Sequence, residues 1–347
     1  MRAPWPSFFL AIALICQVMT AAADPVPSRT PNDGEQSIVA QLEAVWRDWA
    51  ARNPEAETAL AIGHDGAVIW RDGIRRKPDH RANLASLSKS IIAVCMGEML
   101  NAQQLPFDTP LVDLRRALDR IDLNLPAYAE RMTIAHLITH SSGMNPDTTQ
   151  TDRSLRRGGA SEEPADRAYA KRALVENAVA GRRGQHFYNN GNYAMLGVLM
   201  AGLQDDLEYE TDCRRDVLIP AGADEVSYEG RWGGLGAWGG WYGSAEEYLK
   251  FALSYFSADS PLAREPRNAA WSDVSPSEGY GMGMSYYGEA APYFIYHHGT
   301  ICTHDGIDNT STIFFVTRSG WSISFNASMC LDEDQAILHE LFVEAAK

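Results

Sequence analysis

The stretch ASLSKSIIAVCMGEML, residues 85–100, decides how this 347-residue chain is interpreted. It places Ser86 and Lys89 three positions apart at the start of an apolar run. Residues at i and i+3 lie on one face of a helix, with Cβ atoms roughly 5–6 Å apart. A serine hydroxyl is a poor nucleophile until a base removes its proton, and burial can lower the pKa of a lysine enough to make it that base. At a helix N-terminus, the backbone N–H groups would also favour negative charge developing near the serine.

The same pair has a second interpretation that involves no chemistry. Serine is a common residue at the start of helices, and S-x-x-K arises by chance in many proteins. The lysines of this chain are at positions 77, 89, 171, 250 and 347, and only Lys89 has a serine three residues before it. The motif by itself leaves both interpretations open.

Composition argues against several classes of partner. The formal net charge is −15, which disfavours nucleic acid and anionic membrane surfaces. Hydrophobic residues make up 45% of the chain and charged residues 22%, proportions that are ordinary for a globular protein with a sizeable core. We therefore expect a globular protein that binds no nucleic acid.

The N-terminus has the pattern of a secretory signal peptide. Arg2 precedes the apolar run FFLAIALICQVM, and the small residues AAA at 21–23 precede Asp24 and two prolines. A positive start, a short apolar run and small residues before a polar break are typical of a cleaved export signal. The run is too short to span a bilayer comfortably, so no stable membrane anchor is expected. We predict removal of residues 1–23 and a secreted or periplasmic protein.

The rest of the chain is predicted to be a short linker, 24–35, followed by one domain, 36–347. TALAIGH and AVIWRDG flank Asp65-Gly66, which predicts a β-hairpin. Strand patterns return between 292 and 329, before a final helix, and the middle of the chain has mostly helical patterns. Strands at both ends predict one antiparallel sheet built from both chain ends and flanked by helices. The predicted fold class is α+β, with a mainly helical middle subdomain.

Four cysteines remain once the predicted signal peptide is removed: Cys95, Cys213, Cys302 and Cys330. An oxidising compartment permits disulfides, and four cysteines allow three pairings. We favour Cys302 with Cys330. Cys95 lies within a helical apolar pattern and is expected to be a buried thiol.

No metal site is predicted. His136 and His140 are four residues apart, a spacing that can bind zinc on a helix. However, no glutamate follows His136 as H-E-x-x-H requires. We expect these histidines to pack and to cap the following turn.

Two further motifs follow the Ser-Lys pair in order: Tyr188-Asn189-Asn190 and His297-His298-Gly299. With S-x-x-K, they resemble the three elements of the serine β-lactamase and penicillin-binding-protein superfamily, especially its class C-like esterase and D-aminopeptidase branch. Connecting segments such as TIAHLITHSSGM and GGWYGSAEEYLKFAL are also similar to that family. The resemblance covers roughly residues 36–345.

The resemblance implies a β-lactamase/transpeptidase-like fold and an exported serine hydrolase that cleaves an ester or amide. Ser86 would form the acyl-enzyme, and Lys89 and Tyr188 would share proton transfer. Asn190 would orient Lys89 and the substrate. The expected partner is a small-molecule ester, amide or peptide substrate, and the chemistry requires no cofactor.

The third motif would complete the site. By the same resemblance, the oxyanion would be held by the backbone N–H groups of Ser86 and Thr300, beside Gly299. His297 would face the leaving group or a substrate carboxylate, and it stands where β-lactamases of the best-known type have lysine. Because a histidine is mostly neutral above its reference pKa of ~6.5, neutral short-chain esters or amides are predicted over β-lactams.

Two alternatives stay open. The protein could be a D,D-peptidase or β-lactamase acting on cell-wall-like substrates. It could instead be a non-catalytic β-lactamase-like binding or scaffold protein, although retention of all three motif positions disfavours this. The sequence predicts no particular oligomeric state.

Overall fold

The computed structural model describes residues 25–145, 147, 170–171, 174, 183–204, 209–229, 232–256, 279–287, 294–303, 306–331 and 334–347. The predicted signal peptide, residues 1–23, lies outside these residues. Within the described part of the chain, no helix combines the length and the apolarity that a membrane crossing requires.

One large antiparallel sheet is the centre of the fold. Its strands are β1 (Thr58–His64), β2 (Ala67–Ile74), β6 (Tyr280–Gly281), β7 (Met284–Tyr287), β8 (Phe294–Ile301), β9 (Thr310–Val316) and β10 (Trp321–Ala327). They are arranged in the order β2-β1-β10-β9-β8-β7-β6. Because β1 pairs with β10 from Thr58↔Ala327 to His64↔Trp321, the N-terminal hairpin closes onto the C-terminal strands. The predicted sheet from both chain ends is confirmed.

A second, three-stranded sheet lies within the middle of the chain. It consists of β3 (Ala82–Asn83), β4 (Ser227–Tyr228) and β5 (Trp241–Gly243), in the order β3-β5-β4. The helices are α1 (Asp33–Arg52), α2 (Ser88–Gln103), α3 (Arg115–Arg120), α4 (Ile134–Ile138), α5 (Asn190–Leu203), α6 (Tyr209–Cys213), α7 (Ala245–Phe256) and α8 (Asp334–Ala345). Short 3-10 turns occur at Ala85–Leu87, Leu111–Leu114 and Gly233–Trp238. The predicted α+β fold with a mainly helical middle is thereby observed.

The large sheet separates two hydrophobic cores. Successive side chains of a strand point to opposite faces, and in β9 Phe315 packs into one core while Phe314 packs into the other. The first core lies beneath α1 and α8, where Leu42 and Trp46 of α1 are fully buried. The second lies beneath α2, α5 and α7. Helices therefore cover both faces, and the neighbouring strands β9 and β10 are buried throughout.

Residues 25–35 of the predicted linker, 24–35, lie partly against the sheet. The Arg29 N–H donates to the Val68 carbonyl at 2.9 Å, and the Val68 N–H donates to the Pro27 carbonyl at 3.0 Å. Helix α1 begins at Asp33, three residues before the predicted domain start, because Asn32 and Glu35 form a capping box.

Two disulfides lie within the described part of the chain. Cys302 is bonded to Cys330, as predicted. Cys95 is bonded to Cys213, so the prediction of a buried Cys95 thiol is wrong. The apolar pattern around Cys95 correctly indicated a buried position in α2, but it carried no information about a partner 118 residues away.

Candidate active site

Ser86 lies in the 3-10 turn between β3 and α2. Residue Ala85 before it has φ of +48°, a conformation that non-glycine residues adopt rarely. The Ala85 N–H donates to Asn83 Oδ1 at 2.7 Å, and Asn83 Nδ2 donates to the Gly239 carbonyl at 2.9 Å, which together hold this turn. The N-cap position of α2 is Leu87 and no side chain caps it. Ser86 is therefore not the N-cap of α2. The interpretation of Ser86 as a residue that only starts a helix is not supported.

Lys89 reaches back from the first turn of α2 to Ser86. Its Nζ donates to Ser86 Oγ at 3.1 Å and to the Trp238 carbonyl at 2.8 Å. The side chain is fully buried. This burial lowers the pKa of Lys89 to about 7, although the charge of Asp147 acts in the opposite direction. Near neutral pH a substantial fraction of this amine is therefore unprotonated and able to accept a proton.

Tyr188 completes a cluster of three groups. It is hydrogen-bonded to Ser86, and Lys89 Nζ lies 5.0 Å from the centre of its ring. Burial raises the pKa of Tyr188 above that of a free phenol, and the hydrogen bond with Ser86 opposes this in part. Tyr188 is thus a phenol rather than a phenolate at neutral pH. The structure brings together the predicted catalytic residues of the first two motifs.

Asn190 is the first residue of α5 and is buried. Its backbone N–H donates to Asp147 Oδ2 at 3.1 Å. The predicted contact between the Asn190 side chain and Lys89 stays a prediction. The Trp238 carbonyl is a partner of Lys89 that the sequence did not reveal, because any residue type can supply a carbonyl.

The Gly-Trp segment positions this carbonyl. Trp238 ends the 3-10 turn that begins at Gly233. A Cβ atom at Gly240 would lie 2.7 Å from both the Gly233 oxygen and the Gly236 nitrogen. The backbone atoms of this segment pack so closely that only glycine fits at position 240. This packing places the Trp238 carbonyl within hydrogen-bond distance of Lys89 Nζ.

The third motif lies on β8, directly against the serine turn. A Cβ atom at Gly299 would lie 2.7 Å from the Ser86 backbone nitrogen and 2.9 Å from Ala85 Cβ. Only glycine permits this approach. Thr312 Oγ1 on β9 donates to the Leu84 carbonyl at 3.1 Å, which ties the sheet to the same turn.

Helix α8 fixes the end of β8. Gln335 Nε2 donates to the Gly299 carbonyl at 3.1 Å and to the Thr312 carbonyl at 2.8 Å. Thr300 Oγ1 donates to Gln335 Oε1 at 2.9 Å. The described β7–β8 pairing spans Phe294–Tyr296 of β8, so Gly299 and Thr300 follow the part of β8 that β7 pairs with.

His297 is held as a neutral ring. Its Nδ1 lies 2.6 Å from the His298 carbonyl, and its Nε2 lies 3.1 Å from the Tyr280 hydroxyl. A carbonyl only accepts hydrogen bonds, so the proton is on Nδ1, and Nε2 accepts from Tyr280. Burial, together with the charge of Lys89, lowers the pKa of His297 to about 3. This ring therefore supplies no positive charge at neutral pH.

The cluster opens into a cleft of about 430 Å³. Its walls are aromatic and polar. The lining residues are Ser86, His186, Tyr188, Tyr280, Ser285, Tyr296, His297, His298, Thr300 and Gln335. No aspartate, glutamate, lysine or arginine is among these described lining residues.

The two spaced histidines have different surroundings. His136 Nδ1 accepts from the Thr133 N–H at 3.2 Å, and the Thr133 side chain accepts from the His136 N–H. The His136 side chain thus caps the start of α4, and its carbonyl accepts from the Ser141 N–H of the following turn at 2.8 Å. His140 packs against Tyr188, with ring centres 4.3 Å apart. His140 is therefore packed, as expected, but its position beside the cluster was not predicted from the sequence.

Tyr280 was also missed. It belongs to the segment GYGMGMSYYG, residues 279–288. In the structure its hydroxyl is the donor to His297 and its side chain is buried. The signal available in the sequence was the aromatic residue followed by glycine before a short strand.

Comparison with known proteins gives a family and a fold. The sequence matches the family model described as Beta-lactamase over residues 46–325. No curated protein sequence matches the chain.

Solved structures of similar fold are distant in sequence. A beta-lactamase/D-alanine carboxypeptidase from Yersinia pestis is 16% identical with a TM-score of 0.65, covering 91% of this chain and 100% of that chain. An octameric penicillin-binding protein homologue from Pyrococcus abyssi is 18% identical with a TM-score of 0.66, covering 84% and 73% respectively. EstCE1, a hydrolase with promiscuous acyltransferase activity, is 14% identical with a TM-score of 0.60, covering 91% and 100%.

At these identities the structural likeness shows the fold alone. The family match rests on the sequence itself and extends over most of the chain, from α1 to β10. The chain therefore belongs to the beta-lactamase family of serine hydrolases.

Proposed function

We propose that this protein is an exported hydrolase that cleaves a neutral, short-chain ester or amide through an acyl-enzyme on Ser86. The observation that carries the proposal is the contact between Ser86 Oγ and Lys89 Nζ, at 3.1 Å, within a buried cluster. A lysine with a pKa of about 7 is suited to act as a general base near neutral pH.

The acylation step divides proton transfer between two residues. Unprotonated Lys89 takes the proton of the Ser86 hydroxyl as Oγ attacks the carbonyl carbon of the substrate. The tetrahedral intermediate collapses, the bond to the leaving group breaks, and Tyr188 donates its proton to that group. Lys89 then returns the proton to Tyr188, so the two residues are restored together. The raised pKa of Tyr188 suits it to donation rather than to initial deprotonation of the serine.

Hydrolysis of the acyl-enzyme repeats these steps with water in place of the serine. Unprotonated Lys89 removes a proton from a water molecule, whose oxygen attacks the acyl carbon. The bond to Ser86 Oγ then breaks, Tyr188 donates its proton to Oγ, and Lys89 returns its proton to Tyr188 as the carboxylic acid product dissociates. None of the proposed bond-forming and bond-breaking steps requires a cofactor.

The oxyanion is proposed to bind the backbone N–H groups of Ser86 and Thr300. The close approach of Gly299 to the Ser86 nitrogen supports this, since it carries β8 to the side of the serine turn. Asn190 is proposed to contact the substrate from the start of α5. Removal of one such donor from an oxyanion site typically lowers kcat roughly 10²–10³-fold.

The proposed substrate class rests on the charge of His297, whose side chain is neutral at neutral pH. A buried ring that donates through Nδ1 and accepts through Nε2 offers no charge to a substrate carboxylate. The net charge of −15 adds a long-range penalty for anionic substrates, which salt reduces. Both effects favour neutral esters or amides over penicillins and D-alanyl peptides.

Export is proposed from the N-terminal pattern, and the two disulfides support it because such bonds persist in oxidising compartments. We propose that residues 1–23 are removed, that 24–35 leads into the domain at 36–347, and that the protein is secreted or periplasmic. N-terminal sequencing of the exported protein is expected to begin at Asp24. A retained Met1 would contradict cleavage.

The substrate proposal is tested by kcat/KM for a small p-nitrophenyl ester and for nitrocefin, at about pH 7.5, above the reference pKa of histidine. Measurable ester hydrolysis with poor nitrocefin turnover is expected, and Ser86→Ala is the control for both reactions. Faster turnover of nitrocefin would favour the D,D-peptidase or β-lactamase alternative. A folded protein that is acylated by neither compound would favour the non-catalytic scaffold.

A further inference from the structure

His140 holds the chain on both sides of Tyr188. Its backbone carbonyl accepts from the Phe187 N–H at 2.8 Å. Its Nδ1 accepts from the Asn189 N–H at 3.2 Å. The residues before and after Tyr188 are thus bonded to one residue, whose ring centre also lies 4.3 Å from that of Tyr188.

The His140 ring is itself fixed by α5. Asn192 Nδ2 lies 3.1 Å from His140 Nδ1, and Asn192 Oδ1 accepts from Ser142 Oγ at 2.5 Å. The residue has a φ of +54° and is 1% exposed. A left-handed conformation at a buried histidine persists only where its surroundings hold it.

These contacts define the tautomer of His140. Two N–H groups point at Nδ1, so Nδ1 is unprotonated and the proton is on Nε2. Among the described residues, Nε2 has no hydrogen-bond partner and is buried. The rings of Tyr188, Tyr193 and Tyr280 lie around it, with centres 4.3, 5.1 and 4.8 Å away. A buried donor without an acceptor is unfavourable, yet the geometry leaves Nδ1 available as the acceptor for Asn189.

We propose that His140 is a positioning residue for Tyr188. Its hydrogen bonds to the backbone on both sides of Tyr188 set the position and orientation of the phenol relative to Ser86. His140 is not among the residues that line the described cleft, so it acts without touching the substrate. The proposal goes beyond the proposed function and rests on it in one respect, namely that Tyr188 transfers a proton.

The expected kinetic signature is a loss in kcat with little change in KM. Substrate contacts are made by other residues, whereas a displacement of about 1 Å of a proton-transfer group can slow the reaction roughly 10²-fold. A residue needed only for folding would instead lower the amount of active protein and leave the kinetic constants of the folded fraction unchanged.

Two substitutions separate the acceptor from the ring. His140→Phe keeps an aromatic ring and deletes the acceptor for Asn189, whereas His140→Asn places Oδ1 near the position of Nδ1 and is tolerated at positive φ. We expect roughly a 10²-fold loss of kcat for His140→Phe, and recovery of most of it in His140→Asn. If His140→Phe does not fold, His140→Gln replaces it, because its longer side chain carries the amide oxygen away from the Nδ1 position.

The deciding measurement places the acceptor-deleting substitution in a Tyr188→Phe background, with kcat normalised to folded, probe-titrated protein. Without the phenol hydroxyl there is nothing left to position, so the further loss is expected to be less than about twofold. An undiminished loss in that background, or an Asn variant as slow as the variant without the acceptor, would overturn the positioning role. A Tyr188→Phe enzyme as fast as the parent would instead overturn the proposed proton transfer, so the two failures are distinguishable.

Discussion

Lys89 Nζ and Ser86 Oγ lie 3.1 Å apart at the start of α2, and Lys89 is fully buried. The same burial that hides the lysine lowers its pKa to about 7. A general base must be unprotonated to act. The relationship between these two atoms therefore predicts how the reaction depends on pH.

Ester hydrolysis is expected to increase as the pH rises through about 7, the pKa of Lys89. The sign follows because deprotonation converts the lysine into the base. In Asp147→Asn, loss of a negative charge that raises the pKa of Lys89 is expected to move this acid limb to lower pH. The measurement is kcat/KM between about pH 5.5 and 9, a range that brackets the acid limb. A flat profile in the parent enzyme would contradict the role of Lys89.

Lys89 and Tyr188 are expected to act as a unit. Residues that act together give non-additive losses, so Lys89→Ala/Tyr188→Phe should be hardly slower than the slower single variant. The check is kcat for the parent, both single variants and the double variant on one ester. Losses that multiply fully would mean that the two residues perform independent tasks.

A cation at position 297 is expected to change the substrate preference. His297→Lys should increase nitrocefin turnover relative to ester turnover, because it places a charge where a substrate carboxylate would lie. His297→Gln, which stays neutral, is the matched control and should leave the ratio low. The His297 side chain is 5% exposed, so either substitution could disturb folding. Circular dichroism is therefore used to check that both variants fold. An equal ratio in the two folded variants would show that charge at this position does not select substrates.

The disulfides are expected to contribute unequally to stability. Cys95–Cys213 spans 118 residues and Cys302–Cys330 spans 28. The chain-entropy relation gives roughly 5 kcal/mol for the longer loop and roughly 3.5 kcal/mol for the shorter. Urea unfolding of the two double Cys→Ala variants measures the losses. A larger loss for the 302–330 pair would mean that native packing around the bonds outweighs chain entropy.

Local signals in the sequence were sufficient for the sheet. Asp65-Gly66 predicted the first hairpin, and both residues have positive φ, 48° and 74°, as a tight two-residue turn requires. The C-terminal strands were visible because apolar, β-branched and aromatic residues recur in short runs. Their pairing with β1 followed from placing strands at both ends of one domain.

Contacts between distant segments could not be predicted in the same way. The Cys95–Cys213 bond joins α2 to α6, and nothing local to either cysteine specifies the other. The Trp238 carbonyl and the left-handed backbone of Ala85 are properties of the main chain, so residue type carries little trace of them. Motif order identified Ser86, Lys89 and Tyr188, whereas the tautomers of His140 and His297 required their three-dimensional partners.

The central claim is that Ser86 is the nucleophile, and other serines provide internal controls. Ser88 Oγ accepts from the Trp241 N–H at 3.2 Å, Ser142 Oγ donates to Asn192, and Ser244 Oγ accepts from the Glu247 N–H at 3.2 Å. Their hydroxyls are engaged in structural contacts, whereas Ser86 Oγ faces Lys89 and lines the cleft.

Intact-mass analysis after exposure to an active-site acylating probe, followed by peptide mapping, tests that claim most directly. One acyl group is expected per folded molecule, on the peptide that contains Ser86, and none in a folded Ser86→Ala variant. A label on Ser88, Ser142 or Ser244, or labelling that persists in Ser86→Ala, would contradict the assignment of the nucleophile.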